Sequence, residues 1–153
     1  MDAGLDFDSI EAQVREYMKK THLLFSLESL ENLAKNGRVS KVVAKAAGIL
    51  GIRIVGKASD VGTLQQMHKC RGERRSLETL VNLLETEGYR SGKVSIGHCQ
   101  NLEAAEQLKA LISAKFQNAQ IEIHPLRGLC SFYAEKGGVL VGFEKAPHTA
   151  ENP

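Results

Sequence analysis

The stretch KVSIGHCQNLEAAEQLKALISAKFQNAQIEIHP, residues 93–125, decides the fold class. "KVSIGH" and "QIEIH" are short, alternating and β-branched, which predicts strands at 94–97 and 120–124. Between them Leu102, Ala105, Leu108 and Ile112 recur at helical spacing, so 101–115 reads as a helix with Asn101 as its cap. Strand, helix and strand in this order make a βαβ unit, with a right-handed crossover and parallel strands. The residues just past each strand then share one edge of the sheet: His98, Cys99 and Gln100 in one loop, Pro125 to Gly128 in the other. In open α/β sheets that carboxyl edge is where ligands sit.

Working outward, "VLVGF" (139–143) is a further strand, reached through the loop PLRGLCSFYAEKGG (125–138). Upstream, Leu77, Leu80, Val81 and Leu84 form a helical face ending near Gly88. "IRIVGKASDVGTLQQMHKC" reads as two strands around a turn at Ser59 to Gly62. Near the N-terminus, Ile10, Val14, Tyr17 and Met18 fall on one helical face. A strand follows, with Leu23, Phe25 and Leu27 on one side and His22, Leu24 and Ser26 on the other. "SLESLENLAKNG" is a short helix stopped at Asn36-Gly37, residues that tolerate left-handed backbone. A second helix starts near Ser40, with the stripe Val39, Val42, Val43, Ala46, Ala47 and Leu50. Residues 1–8 and 146–153 read as loose ends around a single domain at 9–145.

The length of 153 residues suits one domain with one core, and 42% apolar with 25% charged residues is ordinary for a globular protein. A net charge of +2 gives no argument for nucleic acid, and no aromatic row offers bases a platform. No apolar run approaches the ~20 residues that span a bilayer. The N-terminus carries no basic-then-apolar leader, which speaks against secretion. The three cysteines, Cys70, Cys99 and Cys130, are widely spaced and odd in number, which fits free thiols in a reducing, cytoplasmic compartment. Neither CxxC nor HExxH occurs, so no metal site is expected.

Five features invite a chemical reading. His98-Cys99 sets a base beside a thiol, but acyl transfer also needs an orienting group and an oxyanion hole, so a strand-end histidine next to a small buried thiol is the better reading of the pair. Cys130-Ser131 has no basic neighbour in sequence and reads as the start of a helix or loop. "KCRGERRS" crowds Lys69, Arg71, Arg74 and Arg75 into seven residues at a helix start, where cations oppose the helix dipole. That conflict is eased if the surface receives an anion or an acidic partner. Arg38 sits in a turn, where its guanidinium can be aimed. The 39–50 stripe serves either as core or as core that also walls an apolar cavity, which would hold an acyl chain with no polar group to desolvate.

Several of these stretches, in this order, resemble the DegV family of fatty-acid-binding proteins. "LESLENLAKNGRVSK" is similar to the family's leucine-rich helix, Gly-Gly-Arg-Ile/Val turn and small-residue helix, with Asn36-Gly37 in place of two glycines. "KASDVGTLQQMHKCRGERRSLETLV" resembles the next segment, a hairpin ending in Lys-x-Arg-Gly-x-x-Lys/Arg. "VSIGHCQNLEAAEQLK" and "PLRGLCSFYAEKGGVLVGFE" resemble the segments that follow. The resemblance runs from about Ser9 to Glu144 and is to the C-terminal half of such proteins alone.

The resemblance implies an α/β domain, a mixed sheet of about five or six strands packed with helices. It implies a lipid-binding protein rather than an enzyme, with no catalytic residue and no cofactor. The ligand would be a long-chain fatty acid, enclosed with the help of an N-terminal domain and presented to a fatty-acid kinase. Under it, Phe25, Val39, Val42, Val43, Ala46, Leu50 and Ile54 wall the acyl pocket, and Leu126, Ser131, Phe132 and Tyr133 lie at its mouth. Arg38 and Arg71 would face the kinase, with Arg74 and Arg75 weaker transfers. Many members close with a His-Thr-Gly-Pro-Gly run whose histidine organises the carboxylate site. Here Leu129-Cys130-Ser131 leads to Glu135-Lys136-Gly137-Gly138 with no histidine, leaving Cys130, Ser131 or Tyr133 to fill the space. The competing readings are a basic-faced interaction domain without lipid and a Cys/His hydrolase or transferase.

Overall fold

The computed structural model describes residues 4–40, 51–59 and 61–146. Helix α1 (Phe7–Lys20) runs straight into β1 (Thr21–Leu27), followed by the short α2 (Glu31–Lys35). A hairpin of β2 (Ile52–Ala58) and β3 (Leu64–Arg71) leads to α3 (Glu73–Thr86). Then come β4 (Gly92–His98), α4 (Leu102–Lys115), β5 (Ala119–Pro125), α5 (Gly128–Ala134) and β6 (Val139–Glu144). The six strands form one sheet in the order β3-β2-β1-β6-β4-β5.

The sheet is mixed, as the sequence predicts. β4 and β5 are its parallel pair, with Val94 opposite Ile121 and Ile96 opposite Ile123 across the α4 crossover. β1 and β6 are antiparallel to each other and to β2 and β4 respectively. Asn101 caps α4, its Oδ1 accepting from the Ala104 amide at 3.4 Å. β1 lies in the middle, so Leu24, Phe25, Ser26 and Leu27 are all buried although alternate residues face opposite ways. On one face Leu24, Val55, Ile96 and Val141 pack under Leu77, Leu80 and Leu84 of α3 and Leu108 and Ile112 of α4. Each fully buried leucine there contributes about 1.5–3 kcal/mol of transfer free energy. On the other face Phe25, Leu27 and Ile54 meet Leu30, Leu33 and Ala134.

The structure shifts three sequence expectations. The loop 125–138 contains helix α5, which is held by tertiary contacts rather than by a periodic stripe: Ala134 is buried, and Asn32 Nδ2 donates to the Phe132 carbonyl at 2.9 Å. Of the crowded cations, Lys69 and Arg71 stand on β3, and α3 begins only at Glu73. Glu73 in its first turn offsets Arg74 and Arg75 against the helix dipole. Helix α1 begins at Phe7, inside the segment expected to be loose, because Asp6 Oδ1 accepts from the Ser9 amide at 2.9 Å. The small-residue helix expected from Ser40 to Leu50 lies outside the described residues, apart from Ser40 itself.

Candidate functional site

Pleating sends Leu23, Phe25 and Leu27 of β1 to the face away from α3 and α4. Phe25 lies opposite Leu140 of β6 and opposite Gly56 of β2. A Cβ at Gly56 would sit 2.7 Å from the Phe25 ring and 2.1 Å from the Gln65 carbonyl oxygen. Only glycine lets that ring lie across β2. Around these residues is a cavity of about 320 Å³, lined also by Leu33 of α2, Gly62, Thr63 and Leu64 of the hairpin, and Leu129, Cys130, Tyr133 and Ala134 of α5. Its size is at the low end for a ligand site, and its lining is predominantly apolar.

Arg38 stands at the rim of this cavity. Its place follows from how α2 ends. The Arg38 amide donates to the Leu33 carbonyl at 2.8 Å and the Gly37 amide to that of Ala34 at 3.1 Å, a Schellman motif with Gly37 at φ +68°. The Asn36-Gly37 stop read from the sequence thus aims the next side chain at the cavity mouth. The Arg38 guanidinium has no side-chain partner among the described residues.

The expected pocket residues divide. Phe25 and Tyr133 line the cavity, and Val39 is half-buried against the same apolar cluster. Ile54 is buried in the floor of that cluster without lining the space. Leu126 packs against Gly97, where a Cβ would come within 2.5 Å of its Cδ2. Phe132 points to solvent, edge-on to Tyr133 with centroids 5.1 Å apart. Ser131 Oγ donates back to the Gly128 carbonyl at 2.8 Å. Of the three residues offered for the absent histidine's space, Cys130 and Tyr133 therefore face the cavity and Ser131 does not. Arg71 lies exposed at the end of β3, outside the lining. Val42, Val43, Ala46 and Leu50 are outside the described residues. Sequence reasoning did not single out Leu23, Leu27, Leu33, Leu64, Leu129 and Leu140, although the alternation of β1 already grouped Leu23 and Leu27 with Phe25.

The carboxyl edge of the sheet is built differently from what a nucleophile needs. His98 Nδ1 accepts from the Asn101 amide at 3.2 Å, and Cys99 Sγ donates to the Ser131 carbonyl at 3.6 Å, so base and thiol are engaged apart from each other. Beside them the buried Arg53 donates to Glu28 Oε2 (3.1 Å), Glu73 Oε2 (2.6 Å) and the Gly137 carbonyl (2.9 Å). Asn101 Nδ2 joins the same Glu73 oxygen at 2.7 Å and the same carbonyl at 3.1 Å. This network ties β2, α3, the cap of α4 and the α5–β6 turn together.

The family model described as "Uncharacterised protein, DegV family" matches residues 1–146. The chain belongs to the DegV family. A DegV domain-containing protein of Streptococcus pyogenes serotype M3 is 44% identical over 144 residues, covering 94% of this chain and 51% of the relative. The crystal structure of a DegV family protein from Eubacterium eligens loaded with heptadecanoic acid superposes with a TM-score of 0.89 at 43% identity, over 94% of this chain and 52% of the other. The Streptococcus pneumoniae fatty acid kinase B3 protein loaded with linoleic acid gives a TM-score of 0.90 at 42% identity, over 95% and 52%. The chain spans about half the length of the DegV relatives it matches.

Proposed function

We propose that this DegV chain forms one wall of a fatty-acid site, enclosing part of a long acyl chain together with a second domain of the length its relatives carry. The observation that carries the reading is the apolar cavity on the sheet face opposite α3 and α4, with Arg38 at its rim. An acyl chain entering it would gain ~0.8 kcal/mol per methylene buried. The cost of association and of ordering the ligand offsets much of this, and one side of the cavity is open. The isolated chain therefore binds weakly. The likeness to relatives solved with heptadecanoic and linoleic acid supports the ligand class.

The relative named for a fatty acid kinase supports a further step, in which the bound carboxylate is presented to such a kinase. Arg38 and Arg71, both exposed, are the residues assigned to that encounter. The reading is a binding role with no catalytic residue in this chain, and with the fatty acid as ligand rather than cofactor.

Methyl-resolved NMR titration of the 153-residue chain with palmitate tests the pocket. The expected result is fast-exchange shifts confined to the methyls of Leu23, Leu27, Leu33, Leu64 and Leu140. Shifts on the α3–α4 side, or none at millimolar ligand, would refute the assignment. Submicromolar binding would refute the need for a second domain.

A further inference from the structure

Glu135, just past α5, has the backbone of a glycine. It stands at φ +54° and ψ 172°, a conformation that L side chains rarely adopt. Strain of this kind persists where a side chain is needed at that spot. Glu135 Oε1 accepts from the Asn32 amide at 2.9 Å, across the gap between the α5–β6 turn and α2. That is its one side-chain bond among the described residues. In return Asn32 Nδ2 donates to the Phe132 carbonyl of α5 at 2.9 Å. The two bonds clasp α2 to α5.

The two sides of the clasp are held unequally. The turn is anchored to the sheet edge: the Gly137 amide donates to the Cys99 carbonyl and the Cys99 amide to the Gly138 carbonyl, both at 2.9 Å. Arg53 and Asn101 both donate to the Gly137 carbonyl. Helix α2 has five residues, too few to hold itself in water. Its cap residue, Leu30, offers no side-chain acceptor. Ser29 Oγ takes the Glu31 amide at 3.2 Å, and the next amide is left to Glu135. Leu30 and Leu33 seat α2 on the apolar floor, but such contacts are non-directional and do not fix its distance from α5. The carboxylate therefore reaches from a fixed base to a movable wall. That wall carries Leu33 into the cavity lining and Arg38 to its rim, facing Leu129, Cys130 and Tyr133 of α5.

We propose that Glu135 is a positioning residue for the acyl site: its bond to α2 sets the spacing of α2 and α5 and with it the width of the cavity mouth. This rests on reading the cavity as an acyl site. A wall already in place spares the ligand the cost of ordering it. With the clasp cut, α2 shifts and Leu33 leaves the lining.

Glu135→Gly cuts the clasp without straining the turn, since glycine adopts this backbone freely. Glu135→Gln keeps an acceptor at the same reach. Glu135→Gly should stay folded with a Tm near that of the wild type, relief of strain offsetting the lost bond. The Arg38 amide, bonded to the Leu33 carbonyl, reports on α2 as a whole. In the lipid-free chain it should exchange at least 10-fold faster in Glu135→Gly and at the wild-type rate in Glu135→Gln. Titrated with palmitate, Glu135→Gly should bind about fivefold more weakly and lose the Leu33 methyl shift, keeping those of Leu23 and Leu140 on the strands. Asn32→Ala cuts the clasp from the α2 side and should act in the same direction; it decides the matter if Glu135→Gly does not fold. A loosened α2 with unchanged palmitate binding would overturn the proposal, since the clasp would then be structural alone. So would wild-type exchange at Arg38 in the cut variants, or a Glu135→Gln as damaging as Glu135→Gly, which would make charge rather than the bond the cause. A wild-type chain that shows no palmitate shifts defeats the ligand reading, and the exchange rates still decide whether Glu135 holds α2.

Discussion

Arg53 Nη2 lies 2.6 Å from Glu73 Oε2, an ion pair between the start of β2 and the first turn of α3. The guanidinium is nearly buried and the carboxylate about two-thirds covered. Arg53→Met keeps the stem but leaves Glu73 with the Asn101 amide alone and removes one donor from the Gly137 carbonyl. Removing one partner of a fully buried pair costs about 3–5 kcal/mol, and the part-exposure of Glu73 and Glu28 lowers the expectation to about 2. Urea unfolding should show a lower midpoint with an unchanged slope. An unchanged midpoint would mean that the rim is not held by this pair.

Gly56 lets Phe25 form the cavity floor. In Gly56→Ala the new methyl meets a backbone carbonyl oxygen 2.1 Å away, which cannot swing aside as a side chain would. Overpacking of this kind costs about 1–3 kcal/mol or more. The damage should centre on the β2–β3 hairpin, where the register already shifts between Val55 and Gly56. Thermal unfolding measures the loss, and amide exchange at residues 64–71 locates it. Wild-type stability would show that the hairpin slides freely.

These two positions show how legibility divided along the chain. The βαβ unit was readable because its helix and strands carry clean, different periods in Leu102–Ile112 and Val94–Gly97. Alternation fixes the face that Phe25 shares with Leu23 and Leu27, the face on which the cavity lies. Gly56 reads as an ordinary glycine, since its constraint comes from a ring and a carbonyl on two neighbouring strands. Arg53 reads as a strand residue, since Glu28, Glu73 and Gly137 approach it from three separate segments. The resemblance places Ser131, Phe132 and Tyr133 together at the pocket mouth, but on helix α5 consecutive residues point about 100° apart, so of these three only Tyr133 lines the cavity. Periodicity reports which face a residue takes; it does not report what waits on that face.

Tyr89 offers a pH test. Its ring is enclosed edge-on by Phe116 and Phe143, its hydroxyl donates to the Gly92 carbonyl at 2.9 Å, and burial pushes the phenol's pKa above its usual value of 10.0. A raised folded pKa means the native state holds the proton more tightly than the unfolded chain. Its stabilisation is complete below pH ~10 and is lost as pH climbs through the folded value. In Tyr89→Phe the fall of stability with pH in that range should be shallower by up to about one proton. The absorbance of the tyrosinate should show Tyr89 ionising together with unfolding. Identical alkaline slopes in both proteins would contradict this.

Under the proposed reading, the two arginines would separate holding a fatty acid from handing it on. Arg38 stands at the cavity rim and Arg71 at the end of β3, and neither side chain is spent on an ion pair among the described residues. If they meet a kinase, Arg38→Ala and Arg71→Ala in a protein that carries the second domain as well should leave acyl binding within about threefold, since the methylenes supply that energy. The same changes should cut acyl-phosphate formation by a fatty-acid kinase at least 10-fold, about 1.4 kcal/mol for each lost contact to an anion or acidic side chain. Leu140→Asp is the opposite probe, placing a charge on the cavity wall. It should weaken acyl binding strongly at saturating kinase, because an unpaired carboxylate facing an acyl chain must be desolvated. A basic-faced interaction domain without lipid would show the arginine losses in partner capture and be indifferent to Leu140→Asp, so that single variant decides between the two readings.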